Sequence, residues 1–333
     1  MRTALLDAER GTVPSNNPVV SIVTIFLNAE EFIEEAVESA FTQTYAHWEL
    51  LLVDDGSTDG SSEIARRYTA RNPERVRYLE HAEHANRGMS ASRNLGARNA
   101  RGKYVAFLDA DDVWLPQKLE EQVVLLNGQP EAAMVYGLSE FWYSWAGDHK
   151  EGNDDFLHDL GVPSGTLIQP PTLINHFFFA QDAAIPGPTD VLVRREAIEQ
   201  VGGFVDEFRG AYEDEVFYAK ICLNVPVLAV DTCWDRYRQH PGSSNSVVER
   251  AGEEYATRVV FLTWLESYLA EQGVKDSQML RALRKELWRC RHPRFSEAWK
   301  GRSQLISNIV RRVLPQPVRH WLRAELKGTN TNV

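Results

Sequence analysis

Residues 103–116 read KYVAFLDADDVWLP. The first half, 104–108, is an apolar run with the length and composition of a buried parallel strand. The second half sets three carboxylates in four positions, Asp109, Asp111 and Asp112. Like charges repel, and burial raises that cost, so acids crowded at a strand end call for a compensating partner. A carboxylate cluster suits a hard divalent cation such as magnesium or manganese. In open α/β sheets the ligand crevice lies at the carboxyl ends of the strands. The competing use of these acids is to cap the following helix, expected over 116–126, and Asp112 is open to either role.

The chain before this stretch has the same character. Residues 18–27, PVVSIVTIFL, form a first buried strand that breaks at Asn28. Asn28 and Glu31 have the spacing of a capping box. Phe32, Ile33, Ala36, Val37, Ala40 and Phe41 then make one helical stripe, with Glu34, Glu35 and Glu38 opposite. Residues 48–53, WELLLV, are a second buried strand, ending in the acidic turn DDGSTDG before a helix over 62–70. Residues 76–79 make a short third strand. Gly88 breaks the chain ahead of a helix running from Met89 or Ser90 to Ala100. Small residues at Ala91, Gly96, Ala97 and Ala100 allow that helix to pack closely on a sheet. Strand, helix, strand, acidic turn, helix is a doubly wound α/β pattern.

After the acidic stretch come a helix, a strand over 133–143 and a polar surface loop over 146–165. Residues 170–187 are apolar but irregular, with Phe177, Phe178 and Phe179 in a row. A strand over 189–193 and a helix over 195–201 follow, stopped by Gly202 and Gly203. Glu213, Asp214 and Glu215 open a helix over 215–223, whose N-terminus favours negative charge. A last strand covers 227–230, and 235–246, DRYRQHPGSSNS, is a loop. Beyond about residue 247 the pattern becomes helical, starting with an amphipathic helix over 253–271. The expected organisation is a leader over 1–17, an α/β domain over 18–246 and a basic helical extension over 247–333.

At 43% hydrophobic and 25% charged, the 333 residues have the composition of a soluble globular protein. Three cysteines without metal-type spacing fit a reducing compartment and no disulfide framework. Residues 1–17 lack the apolar core of a signal peptide. No run approaches the roughly 18 apolar residues of a membrane span, so a cytoplasmic location is expected. From Arg281 onward the chain carries 13 Lys and Arg against three acids, a net +10 that leaves −21 on the rest of a chain totalling −11. An acidic body argues against general nucleic-acid binding. The stretch IVRRVLPQPVRHWLRAELKG, 309–328, alternates arginines with Val318, Trp321, Leu322 and Leu326. It could contact a membrane peripherally, at the inner face, or pack as an ordinary helix on the acidic body.

Four pieces, VSIVTIFLNAEEFIEEAVESAFTQTY, LLVDDGSTDGS, NRGMSASRNLGARNARGKYVAFLDADDVWLP and GAYEDEVFYAKI, occur in this order over about residues 18–245. Together they resemble family 2 glycosyltransferases of the GT-A fold. The resemblance implies a Rossmann-like, mostly parallel sheet flanked by helices. It implies inverting transfer of a sugar from a nucleotide diphosphate, most often UDP, to an acceptor hydroxyl, with a divalent cation. The acceptor is then a saccharide or a lipid-linked saccharide of the cell surface. By the same resemblance Asp111 contacts the metal, and Asp109 meets the donor ribose or sugar, or the metal through water. Asp55 accepts a hydrogen bond from the uracil, with Thr24 and Phe26 beside it. The plainer roles are a turn-forming Asp55 and a core Phe26. Arg93 would reach the diphosphate or remain a solvated helix arginine. Asp214 would be the base, or one of three acids placed by a helix dipole. Arg238 and His240 match a loop that closes over the diphosphate. No tryptophan follows the Glu-Asp pair, as it does in many relatives, which leaves the acceptor pocket open. Two rivals remain. A nucleotidyltransferase needs a glycine-rich basic signature, which SIVTIFLNAEE lacks. A nucleotide-sugar-binding protein without transfer activity would not need all of these acids.

Overall fold

Strands β1 (Val20–Phe26), β2 (Trp48–Asp54), β3 (Val76–Glu80) and β4 (Tyr104–Phe107) lie side by side in the order β3-β2-β1-β4, all parallel. Every residue of β1, β2 and β4 is buried, as expected of apolar runs without polar alternation. The polar residues in these runs are paired where their position demands it. Ser21 donates to Glu49 at 2.7 Å, and Arg77 reaches the other oxygen of Glu49 at 2.9 Å. Helices α1 (Ile33–Phe41), α2 (Ser61–Arg71) and α3 (Met89–Asn99) connect these strands. The computed structural model describes residues 18–147 and 154–293.

Beyond β4 the sheet becomes mixed. After β5 (Val113–Trp114) and α4 (Lys118–Gly128) come β6 (Met134–Trp142), β7 (Phe156–Leu157), β8 (Thr166–Ile168), β9 (Leu192–Arg194) and β10 (Val227–Arg238). β9 runs antiparallel between β4 and β6, while β6 and β10 are parallel. β5 and β8 pair antiparallel with β10, and β7 pairs antiparallel with β6. Among the described residues the sheet has ten strands. The helices α5 (Arg195–Val201), α6 (Glu213–Asn224) and α7 (Ser244–Ala251) complete this part of the chain. It is an α/β fold with a sheet that is parallel in its first half.

The structure corrects several local expectations. Residues 235–238 are strand and not loop, because Asp235 and Arg236 pair with Trp114 and Val113 of β5. β5, β7 and β8 are two or three residues long, too short to show a period of two. The apolar stretch after Pro171 is a helical turn, Thr172–Ile174, running into a π-helical turn, Asn175–Ala180, that buries Phe177 and Phe178. Asn28 caps no helix. Its Oδ1 accepts from the Thr58 N–H at 2.7 Å, and Glu30 accepts from the Gly60 N–H at 2.9 Å. The loops after β1 and β2 are thereby tied together, which serves the cleft above them.

The described residues fall into two compact units that divide between Glu253 and Glu254. The second unit contains α8 (Glu254–Glu271) and α9 (Ser277–Arg291). Phe261, Leu262, Leu265 and Leu269 on α8 and Met279, Leu283, Leu287 and Cys290 on α9 are buried. Asp276 caps α9 by accepting from Gln278 N at 2.8 Å and Met279 N at 3.1 Å. The leader 1–17 and the basic stretch 309–328 lie outside the described residues. Among the described residues no helix is long and apolar enough to cross a membrane.

Helix α3 sits against the sheet at a point that only glycine permits. A Cβ on Gly96 would meet Val23 Cγ1 at 2.3 Å. Val23 is β-branched and buried in β1, so it cannot swing aside. Gly96→Ala is expected to destabilise the fold by about 1–3 kcal/mol through overpacking. The cost should shrink in a Val23→Ala background. Urea unfolding midpoints of the four proteins check this, and equal costs in both backgrounds would exclude the Val23 contact as the cause.

Candidate active site

The carboxyl ends of β1, β2 and β4 open on a cleft of about 1390 Å³ lined by Phe26, Asp55, Arg93, Asp109, Asp111, Asp214 and His240, among others. Its first wall is the acidic turn after β2. Asp54 is fully buried and accepts from Gly56 N at 3.1 Å, Ser57 N at 2.8 Å, the Tyr78 hydroxyl at 2.9 Å and the Ser62 hydroxyl. Burial alone would raise its carboxyl, but these donors hold it below the usual value. Asp54 therefore builds the turn. Asp55, beside it, accepts from Arg87 N at 2.7 Å, Gly88 N at 2.9 Å and the Ser92 hydroxyl at 3.0 Å. Gly88 takes φ +90, a conformation open to glycine, which brings its N–H onto this carboxylate.

The second wall is the turn after β4. Asp112 N donates to Asp109 O at 3.1 Å, closing the turn. Asp112 faces inward, accepting from the Thr189 hydroxyl at 2.7 Å and from Arg238 N at 3.0 Å. It caps no helix, since Gln117 holds the N-cap position of α4. Burial, with Asp111 and Asp109 nearby, pushes its carboxyl well above the ordinary range. Asp109 and Asp111 turn the other way, with side chains 26% and 29% exposed.

Arg93 joins this turn to the start of α6. It is buried, and its guanidinium donates to Asp109 Oδ1 at 2.7 Å and, through the other terminal nitrogen, to Glu213 Oε1. Tyr212, immediately before α6, adopts the left-handed conformation at φ 69, which a bulky residue occupies only when its surroundings impose it. That residue sets Glu213 toward Arg93 and places Asp214 on the cleft wall. One guanidinium faces three carboxyls here, so negative charge is in surplus. Burial pushes Glu213 up to about 8, with Arg93 pulling down and Asp214 pushing up. Burial also raises Asp214 and Asp109, again against the pull of Arg93. The guanidinium is buried rather than solvated, and both of its terminal nitrogens are engaged by these two acids.

His240 stands across from Asp111, with Nε2 at 3.0 Å from Asp111 Oδ2 and its ring 4.7 Å from that of Phe32. Arg238 is placed differently from expectation. It is buried at the end of β10 and does not line the cleft. Its guanidinium lies against the rings of Phe32, Trp142 and Trp145 at 5.1, 4.6 and 4.9 Å. It donates to the Asp111 carbonyl at 2.7 Å and to Glu35 at 2.5 Å. Arg238 braces the backbone of Asp111 from behind. Thr24 is also off the cleft, fully buried two residues before the end of β1. Phe26, at the strand end, does line it.

Two acids of the cleft wall escape a reading of the sequence. Asp190 and Asp235 are fully buried, and Asp190 accepts from Gly137 N at 2.7 Å. Lys118 donates to the Asp190 carbonyl at 2.5 Å. Burial raises Asp190 to about 6 and lowers Lys118 to about 8. Asp190 ends a short turn, Pro188–Asp190, just before β9, where a strand over 189–193 was expected, and Asp235 sits in a strand made only by its partners. Neither position has a periodicity to mark it.

The model of the family described as Glycosyl transferase family 2 matches residues 21–202. TuaG of Bacillus subtilis, named as a teichuronic acid biosynthesis glycosyltransferase, is 44% identical over 143 residues, 42% of this chain and 53% of TuaG. The chain thus spans about half the length of that relative. Residues 1–349 of S. aureus TarS, solved with UDP-GlcNAc, superpose with a TM-score of 0.63 at 18% identity, covering 82% of this chain and 72% of that one. The mannosyltransferase PcManGT of Pyrobaculum calidifontis, solved with GDP-Man and Mn2+, gives a TM-score of 0.53 at 18% identity, covering 96% and 89%. At these identities the two structures show a shared fold.

The Arg93 bridge yields a stability test. Arg93→Met leaves the buried Glu213 and the partly exposed Asp109 without their counter-charge, and should destabilise the protein by about 3–5 kcal/mol. In a Glu213→Gln background the same substitution should cost less. Urea midpoints at neutral pH read both values. Equal costs in the two backgrounds would show that Arg93 does not act through Glu213.

Proposed function

The chain belongs to glycosyl transferase family 2, and we propose that it moves a sugar from a UDP-linked donor to an acceptor hydroxyl, with inversion. The product would be a cell-surface polysaccharide or glycolipid. The observation that carries this reading is the convergence of distant segments. Asp55, Asp109 and Asp111, Asp214 and His240 come from four separate parts of the chain and line one cleft. The biosynthetic name of TuaG supports the product class, and the UDP-GlcNAc held by TarS supports the donor class.

A divalent cation fits the donor set. Among the described residues no group of three or more acidic, histidine or cysteine side chains stands ready to hold an ion. Asp111 and His240 nevertheless present a carboxylate and an imidazole 3.0 Å apart. The Asp111 carboxylate would suit manganese or magnesium, and the His240 imidazole beside it would be the softer ligand of the two. The Mn2+ held by PcManGT is in keeping with this assignment. When bound, the ion supplies positive charge to the diphosphate as it departs. Asp109, with one oxygen on Arg93, is left a second oxygen for the donor. Phe26 and Asp55 form the wall against which the base would lie. Asp214 takes the proton of the attacking acceptor hydroxyl, and its raised proton affinity suits that task. Arg93 keeps Asp109 and Glu213 in register and so sets the distance between donor and base.

Two experiments test this reading. The first is donor hydrolysis across a panel of nucleotide sugars with manganese present. Turnover confined to UDP-sugars is expected, and Asp111→Ala should lose both turnover and manganese-dependent UDP binding. Undiminished UDP binding in that variant would remove Asp111 from the site.

The second experiment concerns the base. Asp214→Asn should bind UDP nearly normally while turnover falls by a factor of roughly 10² to 10⁴. A base acts only when deprotonated. Because burial raises Asp214, wild-type turnover should fall with decreasing pH at a value above that of an ordinary aspartate. Near-normal turnover in the variant would exclude Asp214 and direct attention to Glu213 or Glu215.

A further inference from the structure

The cleft has a second wall chemistry that the donor reading does not use. The ends of β6 and β10 and the short strand β7 carry a cluster of rings. Phe141 stacks on Phe156 with centroids 4.8 Å apart and planes at 14°. Tyr143 continues the stack on Phe156 at 6.3 Å and 21°. His158 stands edge-on to both Phe141 and Phe156, at 4.6 and 5.0 Å, and Tyr237 stands edge-on to Phe141 at 5.2 Å. Strand pairing fixes the arrangement, because Phe141 and Phe156 are register partners. Phe141, His158 and Tyr237 line the same cleft as Asp111 and Asp214. Phe156 and Leu157 remain 41% and 49% exposed. A single exposed phenylalanine is unremarkable, but a preorganised ring stack at the mouth of a polar cleft is a surface waiting for a ligand.

We infer that this aromatic wall is the platform for the acceptor, and that the acceptor is a neutral pyranose oligosaccharide. The inference rests on the transferase reading for the word acceptor, but the binding surface stands without it. The ligand must offer an apolar face to the rings and hydroxyl donors at its edge. A pyranose does both: its axial C–H groups form the face and its equatorial hydroxyls the rim. Carboxylates that can receive those hydroxyls, Asp159 and Asp182, line the same cleft. Asp154 and Asp155 add exposed negative charge on the segment leading into β7. That charge repels an anionic lipid surface or an acidic glycan, so neutral sugar is favoured over both. The stack extends outward from the cleft to Phe156, beyond the reach of a single terminal sugar. Acceptors of several units should therefore bind more tightly than monosaccharides.

Saturation-transfer NMR on the full chain tests this without turnover. The probes are malto- and chito-oligosaccharides, with UDP and magnesium as an independent ligand. Transfer into the ring C–H protons of the oligosaccharides is expected for the wild type. It should fall with an affinity loss of about fivefold or more in Phe156→Ala, the loss typical of truncating an aromatic anchor. Phe156→Trp should restore it, and the UDP signal should be the same in all three proteins. The side chain of Phe156 is exposed, so the alanine variant should fold normally; Phe141→Leu provides a second variant that probes the same stack. Three results would overturn the proposal. These are no oligosaccharide signal in the wild type, an undiminished signal in both Phe156→Ala and Phe141→Leu, or sedimentation with phosphatidylglycerol vesicles that Phe156→Ala abolishes. Absence of UDP binding in every protein would instead count against the transferase reading and leave the platform to be judged by its sugar signal.

Discussion

One buried guanidinium holds the two halves of this cleft together. Arg93 lies on α3, Asp109 follows β4 and Glu213 opens α6, so the pairing links three elements that are far apart in sequence. The partners are too acidic for one arginine to neutralise, because Asp214 and Asp111 stand close by. Burial of such a group is costly, and the guanidinium offsets it only with both acids in place. Burial, reinforced by this surplus of negative charge, keeps Asp214 and Glu213 at raised proton affinity, a perturbation that functional sites commonly carry.

The rest of the site is scaffolding of the same kind. Each loop at the strand ends is held by hydrogen bonds from its own and neighbouring side chains. Asp54 ties the turn after β2, and Asn28 and Glu30 bind that turn to the loop after β1. Thr189 and the Arg238 backbone hold Asp112. Arg238, surrounded by three aromatic rings, fixes the carbonyl of Asp111. The acids left pointing into the cleft are thus presented on rigid backbone, which is what positioned chemistry requires.

Much of this was legible in the sequence where a side chain's role follows from its own segment. The apolar runs of β1, β2 and β4 announce buried parallel strands, and the acids after β4 announce a site at their carboxyl ends. Gly96, among Ala91, Ala97 and Ala100, signals a helix that can pack closely on the sheet. What escaped were roles assigned by distant partners. Arg238 looked like a loop cation, but strand pairing with β6 carries it into the core beside Trp142. Asp112 was open to capping a helix or to joining the acid cluster until Thr189 and the Arg238 backbone claimed it. Arg93 read as either a diphosphate contact or a solvated helix arginine, because nothing in its own helix reveals that Glu213 will arrive beside it. Strands of two or three residues, such as β5 and β7, exist only because a neighbour completes their hydrogen bonds, and no local pattern encodes them.

The central claim is that the acid cleft receives a nucleotide diphosphate and a divalent ion at Asp111 and His240. A crystal structure of the protein grown with UDP and Mn2+ tests it most directly. The account predicts the ion on Asp111, the diphosphate beside it, the base against Phe26 and Asp55, and Arg93 still bridging Asp109 and Glu213. Nucleotide bound away from Asp111, or an Arg93 released from both acids to hold the phosphates, would contradict it.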